Sequence, residues 1–406
     1  MNICFDTFGC RLNRAEALED EARSIAKGHK IVASHSEADL VVVRGCSVTA
    51  HAQRDCERLI EHIKSKYPAK RIFVTGCLPN AKKLDISAIL RPRPGVAASE
   101  APLPTRTARA YLKVQDGCSC GCTFCIVPKF RGKPVSLPFD DVVSKAKRFI
   151  DSGYCEIVLT GCNLMLYASN GRRLPELATA IASLSPGCRV RLGSVEPGPV
   201  AMELVHAMHE NGNICRFLHL SVQSGSDNIL AAMHRPYSAK DVDALANEAE
   251  RLMPMIGLGC DLIAGFPGEM ETDFRLTKGL LARHMFSNVH AFPFSERPGT
   301  LASAILRGKV LPDLRHARAH ELADVGAECR RKFAKKFVGR EVEVVVENES
   351  PVSGWSGEYL WFEVQNPTVC PIAGRISGPR RKQKMTFKVK SAHDGRLFGE
   401  LCGNGR

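Results

Sequence analysis

The sequence predicts an α/β protein in three parts: an N-terminal α/β domain with a parallel sheet, a central partial barrel of six βα units, and a small C-terminal all-β barrel. Three observations support this prediction. β-rich and helical segments alternate up to about residue 90, alternate again for over 200 residues from Tyr111, and give way after Phe333 to β-rich runs separated by Gly, Pro and Ser. We place the domains at residues 1–100, 106–335 and 337–402.

Composition narrows the class of protein. The 406 residues, 44% hydrophobic and 24% charged, are typical of a globular chain of two or three domains and exclude a disordered or fibrous one. A net charge of +13 favours an anionic partner such as nucleic acid. No apolar run approaches the roughly 18 residues of a membrane span. The N-terminus also lacks the pattern of a secretory signal. We therefore expect a cytoplasmic protein with no membrane partner.

The N-terminal part alternates three β-rich runs with two segments of helical periodicity, which predicts a parallel sheet. The β-rich runs are Asn2–Thr7, Leu40–Arg44 and Arg71–Thr75, and the helical segments are Ala15–Lys27 and Ala50–Lys66. Residues 90–110 are rich in Pro, Arg and Ala and show no periodicity, so we interpret them as a linker.

Cys10, Cys46 and Cys77 each follow one of these strands, and each is preceded by Gly. Because the carboxyl ends of parallel strands meet at one edge of a sheet, the three thiolates are expected to converge there. Three thiolates can hold an iron–sulfur cluster with one iron left open. The alternative is that they are buried structural cysteines, which does not account for three Gly-Cys pairs at strand ends.

The central part contains six predicted strands, most of them followed by a helical segment. These strands are Tyr111–Gln115, Glu156–Thr160, Arg189–Gly193, Phe217–Val222, Gly257–Ile263 and Asn288–Phe294. Six units suit a partial barrel better than the eight units of a closed one.

Cys118, Cys122 and Cys125 form a C-x3-C-x2-C pattern directly after the first of these strands. Three thiolates on one tight loop can bind three irons of a 4Fe–4S cluster and leave the fourth without a protein ligand. The alternative is zinc, which prefers four ligands in C-x2-C pairs, and no second Cys pair or His pair follows. We interpret Cys120, inside the loop, as a cysteine that does not bind the cluster.

The C-terminal part is basic and aromatic. The segments Arg330–Arg340 and Arg380–Lys390 carry most of its charge, and Trp355, Tyr359 and Trp361 lie between them. Basic strands with aromatic faces favour a surface that follows an RNA backbone and stacks on bases. The alternative is a solvated charge run around core aromatics. With the RNA interpretation, removing the region after Val338 is expected to weaken RNA binding and flatten its salt dependence, while the chemistry of the central barrel stays largely intact.

The cysteine loop, with Phe124 before its last cysteine and at the start of a βα barrel, resembles the radical S-adenosylmethionine superfamily. Further motifs resemble the methylthiotransferases of that superfamily. These motifs are FGCRLN (Phe8–Asn13), RGCSVT (Arg44–Thr49), VTGCLP (Val74–Pro79), EIVLTG (Glu156–Gly161), RLGSVEP (Arg191–Pro197), HLSVQSGSD (His219–Asp227), DLIAGFPGE (Asp261–Glu269) and HAFPFSERPGT (His290–Thr300). The C-terminal region resembles the TRAM domain that ends these enzymes.

The resemblance implies two 4Fe–4S clusters and bound S-adenosylmethionine. It assigns one cluster to Cys10, Cys46 and Cys77 and the other to Cys118, Cys122 and Cys125. It places S-adenosylmethionine near Phe124, Gln223, Ser224, Arg235, Gly265 and Gly268. Glu196 either faces this site or caps a helix. Two positions depart from the family pattern without removing a ligand: Arg44-Gly45 precedes Cys46 where Asn-Thr is usual, and Cys120 replaces an Asn.

The resemblance also implies a reaction, the methylthiolation of C2 of the adenosine next to the tRNA anticodon (position 37). The tRNA anticodon stem-loop would be the substrate, and a flavodoxin or ferredoxin the electron donor. Gly9–Asn13, Ser194–Pro197 and Ser295–Thr300 look more like the branch that acts on N6-threonylcarbamoyladenosine. Because that substrate bears a carboxylate, its pocket needs a cation, and Arg131 and Arg297 are candidates.

Three other functions remain open at this stage. The first two are methylthiolation of isopentenyladenosine in tRNA and methylthiolation of an aspartate in a ribosomal protein. The third is a non-catalytic iron–sulfur protein that binds RNA, which the open iron in each three-cysteine set disfavours.

Overall fold

The computed structural model describes residues 1–78, 107–305, 308–365 and 382–402. Most of the predicted linker, together with Pro79, Cys370 and the start of the second basic segment, lies outside these ranges. Ala110, which we assigned to the linker, is instead the first residue of a strand. In the described parts of the chain, no helix has the length and apolar character needed to cross a membrane.

The N-terminal domain is a parallel sheet with two helices, as predicted. Its strands are β1 (Asn2–Thr7), β2 (Lys30–Ile31), β3 (Leu40–Gly45) and β4 (Arg71–Gly76), and its helices are α1 (Arg11–Ala26) and α2 (Ala50–Lys66). The strand order is β2-β1-β3-β4 with every pair parallel. Val41 and Val43 pack against Ile63 of α2, whereas Leu40 and Val42 pack on the opposite face. This alternation buries the central strand on both sides.

The central domain is the predicted partial barrel. Its strands are β5 (Ala110–Lys113), β6 (Gln115–Asp116), β7 (Val135–Ser136), β8 (Glu156–Thr160), β9 (Ala168–Ser169), β10 (Arg172–Arg173), β11 (Arg189–Leu192), β12 (Ser194–Val195), β13 (Phe217–Gln223), β14 (Gly257–Ala264) and β15 (Asn288–Pro293). Its helices are α3 (Val127–Arg131), α4 (Phe139–Asp151), α5 (Leu174–Ala182), α6 (Pro199–Glu210), α7 (Asp227–Ala232), α8 (Ala239–Leu252), α9 (Glu271–Arg283) and α10 (Pro312–Lys335).

The wall of this barrel runs β5-β8-β11 and then β12-β13-β14-β15, with all of these pairs parallel. Only Gly193 separates β11 from β12, so the two form one broken strand and the wall has six strands. Leu218, Leu220 and Val222 of β13 belong to the main core. The residues between them therefore face the barrel interior, because strand side chains alternate.

The C-terminal domain is a closed five-stranded barrel, which confirms the predicted all-β barrel. Its strands are β16 (Glu341–Glu349), β17 (Val352–Ser356), β18 (Trp361–Val364), β19 (Lys384–His393) and β20 (Arg396–Leu401), in the order β16-β17-β18-β20-β19. Val344, Phe362 and Phe387 fill its interior, and Phe333 at the end of α10 packs into the same core. The long helix α10 thereby attaches this barrel to the central one.

The C-terminal barrel closes the amino-terminal end of the central barrel. Glu156 is fully buried and pairs with Arg189 (Nε–Oε2 2.6 Å) and Arg191 (Nε–Oε1 2.7 Å). The same guanidinium groups donate to main-chain oxygens of the C-terminal barrel, Arg189 to Trp355 (2.7 Å) and Arg191 to Ser356 (2.7 Å). Two buried cations thus need both domains to satisfy their donors.

Tyr359 is part of this junction. Its ring stacks between Trp355 (centroids 4.4 Å apart) and Phe217 at the start of β13 (4.6 Å). We had expected this ring to be free to stack on an RNA base. Its two aromatic neighbours instead hold it inside the junction between the domains. Removing the region after Val338 would expose Phe217 and leave Arg189 without part of its hydrogen bonds. That the chemistry of the central barrel survives such a deletion stays a prediction.

Candidate active site

A tight loop after β6 carries the three predicted barrel ligands. Gly117, with φ of 69°, allows the loop to turn, since a Cβ there would lie 2.0 Å from the carbonyl oxygen of Lys133. The main-chain N–H of Cys118 donates to Gly132 (3.1 Å), and that of Cys125 donates to Cys122 (3.1 Å). These bonds fix the cysteine main chain at the carboxyl ends of the barrel strands, where α/β barrels place their active sites.

Arg235 lies against this loop. Its Nη1 donates to the sulfur of Cys122 (3.0 Å), its Nη2 donates to the carbonyl of Ser221 (3.1 Å), and its Nε donates to the hydroxyl of Tyr237 (2.7 Å). Its Nη2 also lies 2.7 Å from Glu196, so the two form an ion pair. The predicted residue Arg235 therefore lies beside Cys122, one of the predicted cluster ligands, and Glu196 serves as its counter-charge rather than as a helix cap.

Cys120 has partners of its own. Asn163, which the sequence analysis did not single out, donates from Nδ2 to the sulfur of Cys120 (3.2 Å) and to Glu196 (2.7 Å). A hydrogen bond from the Cys120 thiol lowers the pKa of Cys118 to about 6. In contrast, burial raises the pKa of Cys125 to about 11. The assignment of Cys120 as a non-ligand stays a prediction, and this network gives its thiol a supporting role.

Three of the predicted S-adenosylmethionine contacts, Gln223, Phe124 and Ser224, lie in different surroundings. Gln223, with φ of 67°, ends β13 at a shift in strand register, and strained backbone of this kind is often found at functional sites. Phe124 packs beside the buried Phe266 in a small apolar cluster. Ser224 is buried and its hydroxyl faces that of Thr277 (3.4 Å), so its side chain supports the loop from behind.

The two glycines of the GFPG turn both adopt positive φ, 72° at Gly265 and 92° at Gly268. A Cβ at Gly265 would lie 2.3 Å from Cγ of Arg315 on α10. Packing against that helix therefore requires glycine at this position. A Cβ at Gly268 would meet no atom of the described residues within 4 Å, so the backbone angle alone favours glycine there.

The N-terminal cysteines converge at the carboxyl edge of their sheet, as predicted. A Cβ at Gly9, whose φ is 89°, would lie 2.7 Å from the sulfur of Cys46. Asn13 donates to the carbonyls of Phe8 and Gly45, both at 2.9 Å, and so ties the loops after β1 and β3 together. Burial raises the pKa of Cys46 to about 11. A thiolate at this depth needs a cation, which an iron–sulfur cluster supplies.

Steric clashes also explain why glycine precedes Cys46 and Cys77. A Cβ at Gly45 would lie 2.0 Å from Cδ1 of Leu78, and one at Gly76 would lie 2.6 Å from the carbonyl oxygen of Gly45. In all three Gly-Cys pairs, a Cβ on the glycine would therefore collide with a neighbouring segment at the strand ends.

Arg44, one of the departures from the family pattern, is buried. It pairs with Glu16 (2.7 Å) and, at shorter range, with Asp20, both on α1. Its ion pairs thus join β3 to α1.

Neither cysteine set holds its three sulfurs close enough together for a single zinc ion. Zn–S bonds of about 2.3 Å require sulfurs about 4 Å apart. Among the residues described, the groups of three ligand atoms within 4.8 Å of one another are Cys4–Asp6–His35 and His219–Asp261–His290, and neither predicted cysteine set is among them.

The sequence analysis missed a polar group on the inner face of β13, β14 and β15. Nε2 of His219 and Nδ1 of His290 both lie 3.1 Å from Oδ1 of Asp261. Burial favours the protonated form of Asp261, but the two imidazoles outweigh it and hold its pKa well below the usual range. Gly259 makes room for His219, since a Cβ there would lie 2.5 Å from its Nδ1. Polar residues at inward positions of three neighbouring strands were the available signal.

Comparison with known proteins places this geometry in a class. Residues 112–281 match the Radical SAM superfamily, and residues 2–94 match Uncharacterized protein family UPF0004. The fold is similar to that of the radical S-adenosylmethionine methyltransferase TsrM from Kitasatospora setae (TM-score 0.52, 13% identity, 74% of this chain and 77% of that chain). Together with the C-x3-C-x2-C loop at the mouth of a partial barrel, these matches define a radical S-adenosylmethionine enzyme.

Full-length relatives narrow the class. The chain is 32% identical to threonylcarbamoyladenosine tRNA methylthiotransferase MtaB of Thermotoga maritima over 89% of this chain and 91% of that protein. It is 30% identical to the tRNA-2-methylthio-N(6)-dimethylallyladenosine synthase of Chlorobium phaeovibrioides, over 85% of each. The chain belongs to the methylthiotransferase family of radical S-adenosylmethionine enzymes. Its cofactors are S-adenosylmethionine and two 4Fe–4S clusters.

Proposed function

We propose that this enzyme methylthiolates C2 of N6-threonylcarbamoyladenosine next to the anticodon of tRNA, at position 37. Relatives named for this substrate and for the dimethylallyl substrate match at similar identity, 32% and 30%. The choice between them therefore needs a feature of the site. Threonylcarbamoyladenosine carries a carboxylate that the dimethylallyl nucleoside lacks, so a buried cation that forms no ion pair with the described residues favours the first.

Arg297 is that cation. The residue is 7% exposed, its Nη2 donates to the neutral amide of Gln53, and its Nε has no hydrogen-bond partner in the part of the chain that is described. It forms no ion pair with any described residue, and Cys46 and Glu57 both lie near enough to act on its charge. A substrate carboxylate would satisfy the free donors beside the N-terminal cysteine set.

Arg131, the other candidate, does not suit this role. A guanidinium has five N–H donors. In Arg131 they meet Cys77, Glu16, Asp116 and Asn13, and Glu16 accepts two of them. No donor remains for a substrate, so Arg297 is the better receptor.

The chain's own residues supply binding and orientation. When bound, the clusters and S-adenosylmethionine supply the radical and sulfur chemistry. We assign Cys118, Cys122 and Cys125 to one cluster and Cys10, Cys46 and Cys77 to the other. Arg235 and Glu196 hold the barrel loop, while Gln223, Gly265 and Gly268 form the proposed edge of the S-adenosylmethionine site. The target base must leave the anticodon loop to enter this interior.

We assign RNA contact to the C-terminal barrel and its junction with α10. An open cleft of about 1090 Å³ lies there, lined by Trp361, Arg330 and Arg396 and also by four carboxylates. Its mixed charge suits a few defined contacts to the anticodon stem-loop better than a uniformly basic track. A flavodoxin or ferredoxin is the proposed electron donor, and the cytoplasm, where tRNA is found, the proposed compartment.

The test compares anticodon stem-loops bearing threonylcarbamoyladenosine or isopentenyladenosine. We expect wild type to prefer the first. Arg297→Gln should lower kcat/KM for it about 10- to 100-fold, because a charged hydrogen bond contributes about 1.5–3 kcal/mol. Arg297→Lys should recover part of this loss. Arg275→Gln, at an exposed site on α9, is the control, and iron content is measured in every variant. Wild type that prefers isopentenyladenosine would contradict the proposal.

A further inference from the structure

We propose that Arg131 is a positioning residue that sets the geometry and raises the reduction potential of the N-terminal cluster, although it belongs to the other domain. The inference rests on the proposed cluster at Cys10, Cys46 and Cys77. Arg131 ends α3, six residues after the barrel ligand Cys125. It therefore connects the loop of one cluster to a ligand of the other.

All five N–H donors of Arg131 have acceptors within the protein. Nε donates to the sulfur of Cys77 (3.0 Å). Nη1 donates to Glu16 (2.9 Å) and Asp116 (3.1 Å), and Nη2 donates to Asn13 (2.8 Å) and Glu16 (3.1 Å). The side chain is 8% exposed, so these partners replace water. Lysine has neither the planar fork nor the five donors to reproduce them.

Through these partners Arg131 reaches all of the loops that carry the N-terminal cysteines. Asn13 holds the carbonyls of Phe8 and Gly45, which lie just before the Gly-Cys pair of β1 and just before Cys46. Cys77 is contacted directly. On the barrel side, Asp116 accepts from the main-chain N–H of Gly117 (2.8 Å), next to Cys118. A change in the position of Arg131 would therefore act on the N-terminal cysteine loops directly, whereas the barrel loop keeps the hydrogen bond between Gly117 and Asp116.

The positive charge of Arg131 affects the reduction potential of the proposed N-terminal cluster. Reduction adds negative charge to a cluster, and both an N–H···S hydrogen bond and a nearby cation stabilise the reduced form. Glu16 and Asp116 balance the guanidinium partly, but Cys77 receives the hydrogen bond itself. Loss of Arg131 should thus lower the midpoint potential of the N-terminal cluster and leave the barrel cluster, whose cysteine bonds to Arg235, unaffected.

The experiment isolates each cluster in the full chain. In a Cys118→Ala, Cys122→Ala, Cys125→Ala background, only the N-terminal cluster remains, and redox titration followed by electron paramagnetic resonance gives its midpoint potential. We expect Arg131→Gln to lower this potential clearly and Arg131→Lys to lower it less. Lys129→Gln removes the same charge from an exposed position of α3 and should leave it unchanged. In the reciprocal Cys10→Ala, Cys46→Ala, Cys77→Ala background, Arg131→Gln should not change the barrel potential.

The outcomes separate this inference from the function it rests on. An N-terminal cluster with the same potential in Arg131→Gln as in Lys129→Gln would overturn the inference while leaving the cluster assignment intact. Equal shifts in both clusters would also overturn it. Loss of iron in Arg131→Gln but not in Lys129→Gln supports the positioning role. The midpoint potential is then measured in Arg131→Lys instead. Absence of iron from the parent background would instead overturn the N-terminal cluster itself.

Discussion

Replacing Cys118, Cys122 and Cys125 together by Ala is expected to lower iron from about eight to about four per chain after anaerobic reconstitution. It should also abolish reductive cleavage of S-adenosylmethionine, because the proposed cluster of this loop is the one beside Arg235. The matching change of Cys10, Cys46 and Cys77 should remove the other four irons and all methylthiolation, while cleavage of S-adenosylmethionine persists. Iron content and release of 5′-deoxyadenosine measure the two effects.

The control for this experiment is Cys120→Ser. It lies in the same loop, and its partners are Asn163 and Glu196. We expect it to keep both clusters and most activity. Loss of the barrel cluster in this variant would mean that Cys120 is a ligand. Unchanged iron in the N-terminal triple variant would refute the second cluster.

Glu156→Gln is expected to cost about 3–5 kcal/mol of unfolding free energy, because it leaves two buried guanidinium groups without their counter-charge. Arg189 and Arg191 are 4% and 0% exposed and share this one carboxylate. Since the same arginines hold the C-terminal barrel, the variant should also loosen the junction between the domains. Denaturant unfolding followed by circular dichroism measures the loss.

The pH dependence of this effect has a defined sign. Burial raises the pKa of Glu156, but Arg191 and Arg189 outweigh it and hold the pKa far below its ordinary 4.5. A depressed pKa contributes stability that is fully present above that ordinary value and is lost as the pH falls below it. The difference in unfolding free energy between wild type and Glu156→Gln should thus be constant near neutral pH and shrink below about pH 4.5.

Glu203→Gln provides the comparison for Glu156→Gln. Glu203 pairs with Arg173 at 2.5 Å, but both side chains are more than 40% exposed. Exposed pairs contribute about 0–1 kcal/mol. Equal losses in the two variants would contradict the importance that we assign to the buried junction.

Local patterns predicted most of the fold. β3 is a run of Val and Leu buried on both faces, and the barrel strands repeat a short apolar run before each helix, so their bounds agree with the structure to within a few residues. Cys10 and Cys46 were predictable as a pair because strand ends in a parallel sheet share an edge. These features depend on residues close together in sequence.

Contacts between distant segments were not predictable in this way. Tyr359 occurs among basic residues and aromatics, which favoured a free RNA surface, but it stacks on Phe217 from another domain. Arg131 looked like a substrate receptor because its partners Glu16 and Cys77 lie more than 50 residues away in sequence. Periodicity indicates which face of an element is buried, and it carries no information about which domain covers that face.

Mass spectrometry of tRNA nucleosides from a strain lacking this protein tests the central claim most directly. We predict that 2-methylthio-N6-threonylcarbamoyladenosine disappears from tRNAs that read codons beginning with A. Wild-type protein should restore it, and Cys122→Ala should not. Methylthio loss confined to tRNAs that read codons beginning with U would contradict the claim.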